Sequence, residues 1–183
     1  MYKRQVSDYL PTQNVASVSQ SFDDFVSGTA SGVSTLGQLR WTIFNAGTGA
    51  VSEPSANTDN LHIGLANFAV SAVSDISSIA LTDIRVGGGQ ITIEGLVRIG
   101  ALGNGTDNYV VQFGLGNNEQ STSDPTNGVF FQYSQAANTH WQVKTTNAST
   151  STTITSTVTV AANSYYKLRM IINPAGTLSL IHI

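Results

Sequence analysis

Cysteine is absent from the 183 residues of the chain, so disulfide bonds, thiol nucleophiles and thiolate metal sites are excluded together. A chain without thiols is indifferent to the redox state of its surroundings, so this absence leaves the compartment open. The length is enough for one β-sandwich with a sizeable core, and we expect a single domain.

Charge is also scarce, because only 10% of the residues are charged, against about 25% in ordinary soluble domains. The eight Lys and Arg residues are scattered singly and the net charge is −3, so no basic stripe is present to neutralise nucleic-acid phosphates. No apolar run approaches the roughly 20 residues that cross a bilayer, and the N-terminus lacks the apolar core of a signal peptide. We therefore expect a soluble chain that neither binds nucleic acid nor inserts into a membrane.

The abundant residues favour β-structure. Polarity comes from Ser, Thr, Asn, Gln and Gly, while the β-branched and aromatic residues fit a pleated surface better than a helix. From residue 21 onward, about ten short apolar runs are separated by turn-forming clusters, a pattern typical of a sandwich or barrel. These runs are SFDDFVSG, QLRWTIFNAG, NLHIGLANFAV, a less regular stretch to Ile84, GQITIEGLVRIGAL, NYVVQFGLGN, NGVFFQYSQ, THWQVKTTN, TSTTITSTVTV and SYYKLRMIINP.

Alternation of apolar and polar side chains predicts two half-buried strands. One strand would turn Ile91, Ile93 and Val97 to the core and Thr92, Glu94 and Arg98 outward, and the other would bury Leu168, Met170 and Ile172 beneath Lys167, Arg169 and Ile171. Residues 145–160 are rich in Ser and Thr, and we interpret them as a hairpin of exposed strands rather than as a disordered linker. The stretch 68–79 fits a helix, a strand or irregular structure.

The two termini share an unusual property, because both back-translate to one DNA sequence. Residues 1–5 are what GTGTATAAGAGACAG encodes when GTG is the initiator, and residues 178–183 are what CTGTCTCTTATACACATC encodes, the opposite strand of the same element. This DNA resembles the transposon mosaic end used in sequencing adapters. We therefore interpret 1–5 and 178–183 as adapter-derived, 6–20 as a linker and 21–177 as a truncated sandwich domain. Residues 178–183 also alternate as a natural terminal strand would, so pairing is compatible with either origin.

The order of several segments resembles the concanavalin A-like lectin and glucanase jelly roll, in its phage and environmental-virus form. FDDFVSG resembles the opening strand of that family, GGGQITIEGLVRIGAL a characteristic later strand, and NYVVQFGLGN with PTNGVFFQYS the paired core strands, while HWQVKTTN and VAANSYYKLRMIINPAGT complete the series. The resemblance spans residues 21–177 and implies an all-β antiparallel jelly-roll sandwich of two stacked sheets. In that family the domain occurs as a module of tail fibres and other virion proteins, and elsewhere as a carbohydrate-binding domain.

Glucanases of this fold need two carboxylates on alternate positions of one strand, and the sequence offers no such pair. Asp23 and Asp24 are adjacent and so point to opposite faces of a strand, while Glu94 has Thr92 and Leu96 two positions away. We interpret Glu94 as an outward residue that pairs with Arg98 or with a neighbouring strand. Catalysis is therefore not expected.

Two sets of residues are candidates for binding. Aromatic faces with polar neighbours are typical of sugar sites, so Trp141, His140, Tyr133 and Tyr109 are candidate ligand-binding residues, with plain packing in the core as the alternative. Legume-type lectins of the resembled fold bind calcium through oxygen-rich loops, and the loop residues Asn117, Glu119, Asp124 and Asn127 would be the calcium ligands here, with an ordinary polar loop as the alternative. No cofactor is required by either interpretation.

The leading hypothesis is a non-enzymatic, lectin-like module of a virion or tail-fibre-like protein that attaches to surface glycans. Its partners would be surface glycans or other virion subunits, and the full-length protein would be a homo-oligomer on a virion or extracellular surface. A purely structural decoration or assembly domain is the alternative, and a glycoside hydrolase is the third interpretation. His62 and His140 show no metal-ligand spacing and no Ser lies in a nucleophile elbow.

Overall fold

Every regular element that the structure describes is a β-strand, and these strands pair antiparallel. The structure, a computed structural model, describes residues 23, 25, 35–37, 39–52, 66–71, 75–81, 84, 89–103, 109–117, 123–134, 138–175 and 178–183. The strands are β1 Thr35–Leu36, β2 Trp41–Ala46, β3 Ala50–Ser52, β4 Asn67–Ala69, β5 Ile76–Ala80, β6 Ile91–Ile99, β7 Val110–Gly116, β8 Gly128–Ser134, β9 Asn138–Asn147, β10 Thr150–Thr159, β11 Ser164–Ile172 and β12 Leu178–His182. The all-β prediction is confirmed for these residues, and the undecided stretch 68–79 contributes to strands β4 and β5.

Four of the strands form the larger sheet, in the order β10-β9-β8-β7. Successive side chains of a strand point to opposite faces, so Phe131 and Tyr133 of β8 share the inner face with Trp141 and Val143 of β9. All four of these side chains are buried. The opposite side of the sheet is called the outer face below.

A three-stranded sheet, in the order β12-β11-β6, forms the second layer. Strand β11 pairs with β6 in unbroken register from Ser164 opposite Ile99 to Ile172 opposite Ile91. Leu168, Met170 and Ile172 are buried, so the predicted inner row is confirmed. Glu94 lies outward and pairs with Lys167 at 2.8 Å and Arg169 at 3.7 Å, both on the neighbouring strand.

The inner faces of these two sheets pack against each other in one core. Trp141 of the four-stranded sheet meets Tyr166 of β11 edge to face, with ring centroids 5.7 Å apart. Gly95 of β6 lies against Phe113 of β7, where the absence of a side chain brings the layers together. Apolar burial between the layers is therefore the main favourable contribution to this part of the fold.

Two carboxylates organise the N-terminal sheets, β1-β2-β5 and β3-β4. Asp23 accepts hydrogen bonds from the backbone of Phe25 and Leu39 and from the indole of Trp41. Asp75 accepts from Thr48 and Ser71 and so ties the turn before β3 to the start of β5. Most of the predicted opening strand lies outside the described residues.

Residues 145–160 contribute to strands, as predicted, but the hairpin is larger than that segment, because β10 is one long strand that pairs with β9, Asn138–Asn147. Strands β9 and β10 pair from Asn147 opposite Thr150 onward, and Ala148 and Ser149 make the turn with φ of 46° and 66°. Positive φ at both central residues matches the right-handed twist of the flanking strands. Neither residue is a glycine, however, so positive φ at these two positions costs conformational free energy.

Residues 178–182 form β12 and pair with β11, with a register shift between Ile171 and Ile172. Either origin proposed for this terminus is compatible with the pairing, so the adapter interpretation stays a prediction. Residues 1–5 and the predicted linker 6–20 lie outside the described residues. In the described part of the chain, the structure contains no helix with the length and hydropathy of a membrane span.

Candidate functional site

Three glutamines lie side by side across the outer face of the four-stranded sheet. Gln112 of β7 is directly opposite Gln132 of β8, and Gln132 is directly opposite Gln142 of β9. Gln142 is opposite Thr155 of β10 and donates a 3.4 Å hydrogen bond to its hydroxyl. We call Gln112, Gln132, Gln142 and Thr155 the glutamine row.

The apolar neighbours of each glutamine fix its orientation. In β7, β8 and β9 the glutamine stands between two apolar residues, and those neighbours turn to the core. Strand alternation then turns the glutamine to the opposite face. The antiparallel register places the three glutamines at one level, because a slip of one residue would exchange the two faces.

Asp124, from the segment before β8, covers the middle of the glutamine row. Its Oδ1 accepts hydrogen bonds from Nε2 of Gln112 at 3.1 Å and from Nε2 of Gln132 at 2.7 Å. The next residue, Pro125, is buried over Gly116 and Gly128, where a Cβ atom would approach the proline Cγ to 2.9 Å and 3.1 Å. The two glycines therefore let this segment lie close on the sheet.

Lys144 neutralises the carboxylate of Asp124. Its Nζ lies 2.7 Å from Asp124 Oδ2, and both side chains are largely withdrawn from solvent. Charged side chains that are largely withdrawn from water are usually paired, because an unpaired charge loses much of its favourable hydration. The row and its covering pair together are electrically neutral.

His140 lies on the same face of β9, two residues from Gln142, and is half-buried. Its Nδ1 lies 3.0 Å from Asn138 Oδ1, and its Nε2 lies 3.2 Å from Thr159 Oγ1. Both ring nitrogens are thus within hydrogen-bond distance of neutral oxygens. Of the four predicted ligand-binding residues, His140 is the one on the outer face beside the row.

The predicted aromatic residues lie elsewhere. Trp141 and Tyr133 are 0% and 1% exposed and pack together in the core, with ring centroids 6.1 Å apart. They alternate with His140 and Gln132 along their strands, so the same pattern that turns those polar residues outward turns these rings inward. Their position matches the packing alternative, and a ligand role for them stays a prediction.

Tyr109 packs edge-on against Tyr133 at 6.0 Å, and its hydroxyl donates to the backbone carbonyl of Ala101. Burial raises the pKa of Tyr109 to about 12, and the neighbouring Tyr133 adds to the shift. Burial also raises the pKa of Tyr133, with Tyr166 as the second cause. Both phenols therefore stay protonated at neutral pH.

The predicted calcium ligands do not converge in the described residues. Asn117 Oδ1 accepts from the backbone of Asn127 at 3.0 Å, and Asn127 Oδ1 accepts from the backbone of Ala148 at 3.0 Å. The carboxylate of Asp124 is directed to the glutamine row and Lys144, while Glu119 lies outside the described residues. In the resolved strands and loops, no group of three or more His, Asp or Glu side chains is placed to hold a metal ion. Calcium binding therefore stays a prediction.

A cleft of about 940 Å³ opens at the end of the two layers where β7, β8 and β9 meet the hairpin turn. Asn117 and Asn127 lie in its wall with Asn147, and apolar residues such as Leu115 and Ile172 lie between them. The hydroxyl of Thr146, another lining residue, is buried and has no hydrogen-bond partner in the described part of the chain. The cleft thus combines neutral amides with apolar surface.

The chemistry of the described site is neutral hydrogen bonding. The carboxylates in the described residues already accept hydrogen bonds or pair with cations: Asp23, Asp75, Glu94 and Asp124. Gln132 is buried beneath Asp124, so Gln112 and Gln142 are the amides of the row that can both donate to and accept from a polyhydroxylated ligand.

The glutamine row was missed by sequence reasoning, although the sequence carries a signal for it. Three successive strand segments, VVQFG, VFFQYS and HWQVK, each place one glutamine between apolar residues. Such a glutamine faces away from the core, but only the pairing register shows that the three share one level. A search for one polar residue type at the same place in consecutive strands would find it.

Comparison with protein families gives a match over residues 98–181, to the family described as "SO2946-like, C-terminal domain". The matched region runs from the end of β6 into β12 and includes the glutamine row. No curated protein and no solved structure matches the chain.

Proposed function

We propose that this chain is a non-enzymatic, lectin-like jelly-roll module that binds surface glycans through the outer face of its four-stranded sheet. The registered glutamine row is the observation that carries the proposal. Sugars are neutral polyols, and side-chain amides can pair with adjacent hydroxyls without the desolvation cost of an unpaired charge. The concanavalin A-like order of strand segments and the two stacked layers support the jelly-roll assignment.

Attachment through such a face would be weak for a single copy. Two of the aromatic residues predicted to stack on a sugar, Tyr133 and Trp141, are buried in the core. Several copies on one fibre would raise the avidity by orders of magnitude without a new contact. This requirement fits a module of a virion or tail-fibre-like protein exposed at a surface, with glycans of the host as partners.

A glycan array probed with the whole chain, displayed in several copies on a scaffold, tests the proposal. The double variant Gln112→Ala/Gln142→Ala should lose binding, whereas Gln90→Ala should retain it. Gln90 is an exposed glutamine outside the row and provides a matched control. Gln112 and Gln90 are exposed and Gln142 is half-buried, so an unchanged circular dichroism spectrum of the double variant would show that a loss of binding reports on the site.

A structural decoration or assembly module is the second candidate. The burial of Tyr133 and Trp141 favours it, because a rigid aromatic core serves stability alone. The structural role would be favoured if the displayed chain bound no glycan, or if the double variant bound glycans as well as the unchanged chain does.

A further inference from the structure

Strand β10, Thr150–Thr159, is the outermost strand of the four-stranded sheet. One edge pairs with β9, in regular register from Thr150 to Thr155. Its other edge pairs with none of the strands in the described residues. The backbone groups along that edge form a template to which another strand can pair.

Both faces of β10 are exposed over the regularly paired part. Residues 150–155 are all exposed, including Thr152 and Ile154, which point to the inner side of the sheet. Ile154 is 58% exposed. At the opposite edge of the same sheet, Phe113 and Leu115 of β7 are instead packed against the core. Strand β10 therefore extends past the opposing layer.

The sequence of β10 lacks the features that normally protect such an edge. Its ten residues, TSTTITSTVT, include no charge, proline or glycine, and eight of them are β-branched. Native edge strands are usually blocked by Lys, Pro or a charge. Strand β6, at the edge of the three-stranded sheet, carries Glu94 and Arg98 on its outer side.

We propose that β10 pairs antiparallel with β10 of a second copy of this chain, so that two four-stranded sheets become one sheet of eight strands. A second copy fits this edge because two identical neutral strands meet without like-charge repulsion, and facing threonines stabilise cross-strand pairs. A two-fold axis closes the pairing at two copies. One strand pair is small beside the roughly 1,200–2,000 Å² of stable interfaces, so the dimer forms at high local concentration.

The pairing has a geometric consequence for the proposed glycan site but does not depend on it. A two-fold axis perpendicular to the sheet keeps the outer faces of both copies on one side. Thr155, the end of the glutamine row, lies in β10, so the two rows approach each other at the junction. A dimer would thus present two rows on one continuous surface.

Sedimentation velocity of the 183-residue chain over a range of concentrations tests the pairing. The expected result is a shift from monomer to dimer as the concentration rises. Ile154→Lys places two like charges at the junction and should weaken the dimer by about tenfold or more. Leu96→Lys is the matched control, since Leu96 is an apolar side chain 64% exposed on the outer side of β6, and should leave the dimer unchanged.

Amide hydrogen exchange locates the interface independently of any variant. Exchange at residues 150–155 should slow as the concentration rises, while exchange in the turn at Ala148 and Ser149 stays constant. A monomer at every concentration, assembly beyond two copies, or a dimer equally affected by Leu96→Lys would overturn the proposal. Glycan binding by a chain that remains monomeric would overturn the pairing and leave the proposed function standing.

Discussion

Gly95 of β6 and Phe113 of β7 lie so close across the two layers that a Cβ atom on Gly95 would be 2.5 Å from Cζ of the phenylalanine ring. We expect Gly95→Ala to lower the free energy of unfolding by about 1–3 kcal/mol, because the ring has to move within a packed core. Urea denaturation followed by circular dichroism measures the change.

Gly100→Ala is the control for this substitution, because a Cβ atom there would meet nothing within 4 Å. It should change the stability by about 0.5 kcal/mol or less. In the double variant Gly95→Ala/Phe113→Leu, the smaller leucine makes room for the new methyl group, so part of the lost stability should be recovered. Equal effects of the two alanines would contradict the close approach of the layers.

The two tryptophans of the chain provide a matched test of a buried donor. Among the described residues, the buried indole N–H of Trp141 has no hydrogen-bond partner, whereas that of Trp41 donates to Asp23 at 3.1 Å. An orphaned buried donor costs about 1–3 kcal/mol. Trp141→Phe removes that cost and should offset much of the lost ring volume, while Trp41→Phe loses a hydrogen bond to a carboxylate.

We therefore expect Trp141→Phe to destabilise the protein less than Trp41→Phe does, although Trp141 is the more buried ring. Trp141→Ala should cost about 3–5 kcal/mol, which would show that the position itself is sensitive to packing. The denaturant midpoints of the three variants measure these effects, provided that the dependence of the free energy of unfolding on denaturant concentration is unchanged. A larger effect of Trp141→Phe would reveal a partner for its N–H.

Stability should fall at alkaline pH as Tyr109 titrates. The pKa of Tyr109 is raised from 10.0 to about 12 in the folded chain, so the folded state holds the phenolic proton more tightly than the unfolded state. The resulting stabilisation is complete below pH 10 and is lost as the pH rises towards 12. Thermal unfolding between pH 8 and pH 12 measures it, and Tyr109→Phe should flatten this dependence.

The hairpin turn between β9 and β10 offers a stabilising change. Ala148 and Ser149 both have positive φ, which Asn and Gly adopt more readily. Ala148→Asn/Ser149→Gly should raise the free energy of unfolding by about 0.4–1 kcal/mol. As a control, Ser151→Gly, within strand β10, should destabilise the protein. If the turn variant were less stable than the unchanged chain, the two residues would not have this turn conformation.

The ion pair of Asp124 and Lys144 should be worth more than that of Glu94 and Lys167. The side chains are 29% and 17% exposed in the first pair and 42% and 60% in the second, at similar distances of 2.7 and 2.8 Å. Double-mutant cycles with Asn and Met should give a coupling of about 1 kcal/mol for the first pair and about 0.3 kcal/mol for the second. Equal couplings would mean that Asp124 is more hydrated than its hydrogen bonds indicate.

Strand periodicity was sufficient to predict the faces of β6 and β11, because one side of each strand is a continuous apolar row and the other carries Glu94, Lys167 and Arg169. The pattern left open whether Glu94 pairs with Arg98 or with a neighbouring strand, and the structure shows the neighbouring strand. Residue type alone left Trp141 and Tyr133 open, since an aromatic residue in a strand fits a core and a binding face equally well, whereas their alternation with His140 and Gln132 indicates the core.

The hydrogen-bond partners of the loop residues could not be predicted from their spacing in the sequence. Asn117, Asp124 and Asn127 are close in the chain, yet Asp124 turns to Lys144, twenty residues away, while the two asparagine oxygens accept backbone N–H groups. Spacing alone therefore did not predict these separate hydrogen bonds, and the calcium site stays a prediction. The glutamine row likewise depends on the relative register of three strands.

Uncharged amides on the outer face would make binding less sensitive to the salt concentration and the acidity of the surroundings. Dissolved ions screen attraction between charges but have little effect on hydrogen bonds between neutral groups. The amides of Gln112, Gln132 and Gln142 also have no proton to lose or gain at ordinary acidity. Adhesion through the two accessible amides, Gln112 and Gln142, would therefore depend less on salt and on acidity than adhesion through charged groups.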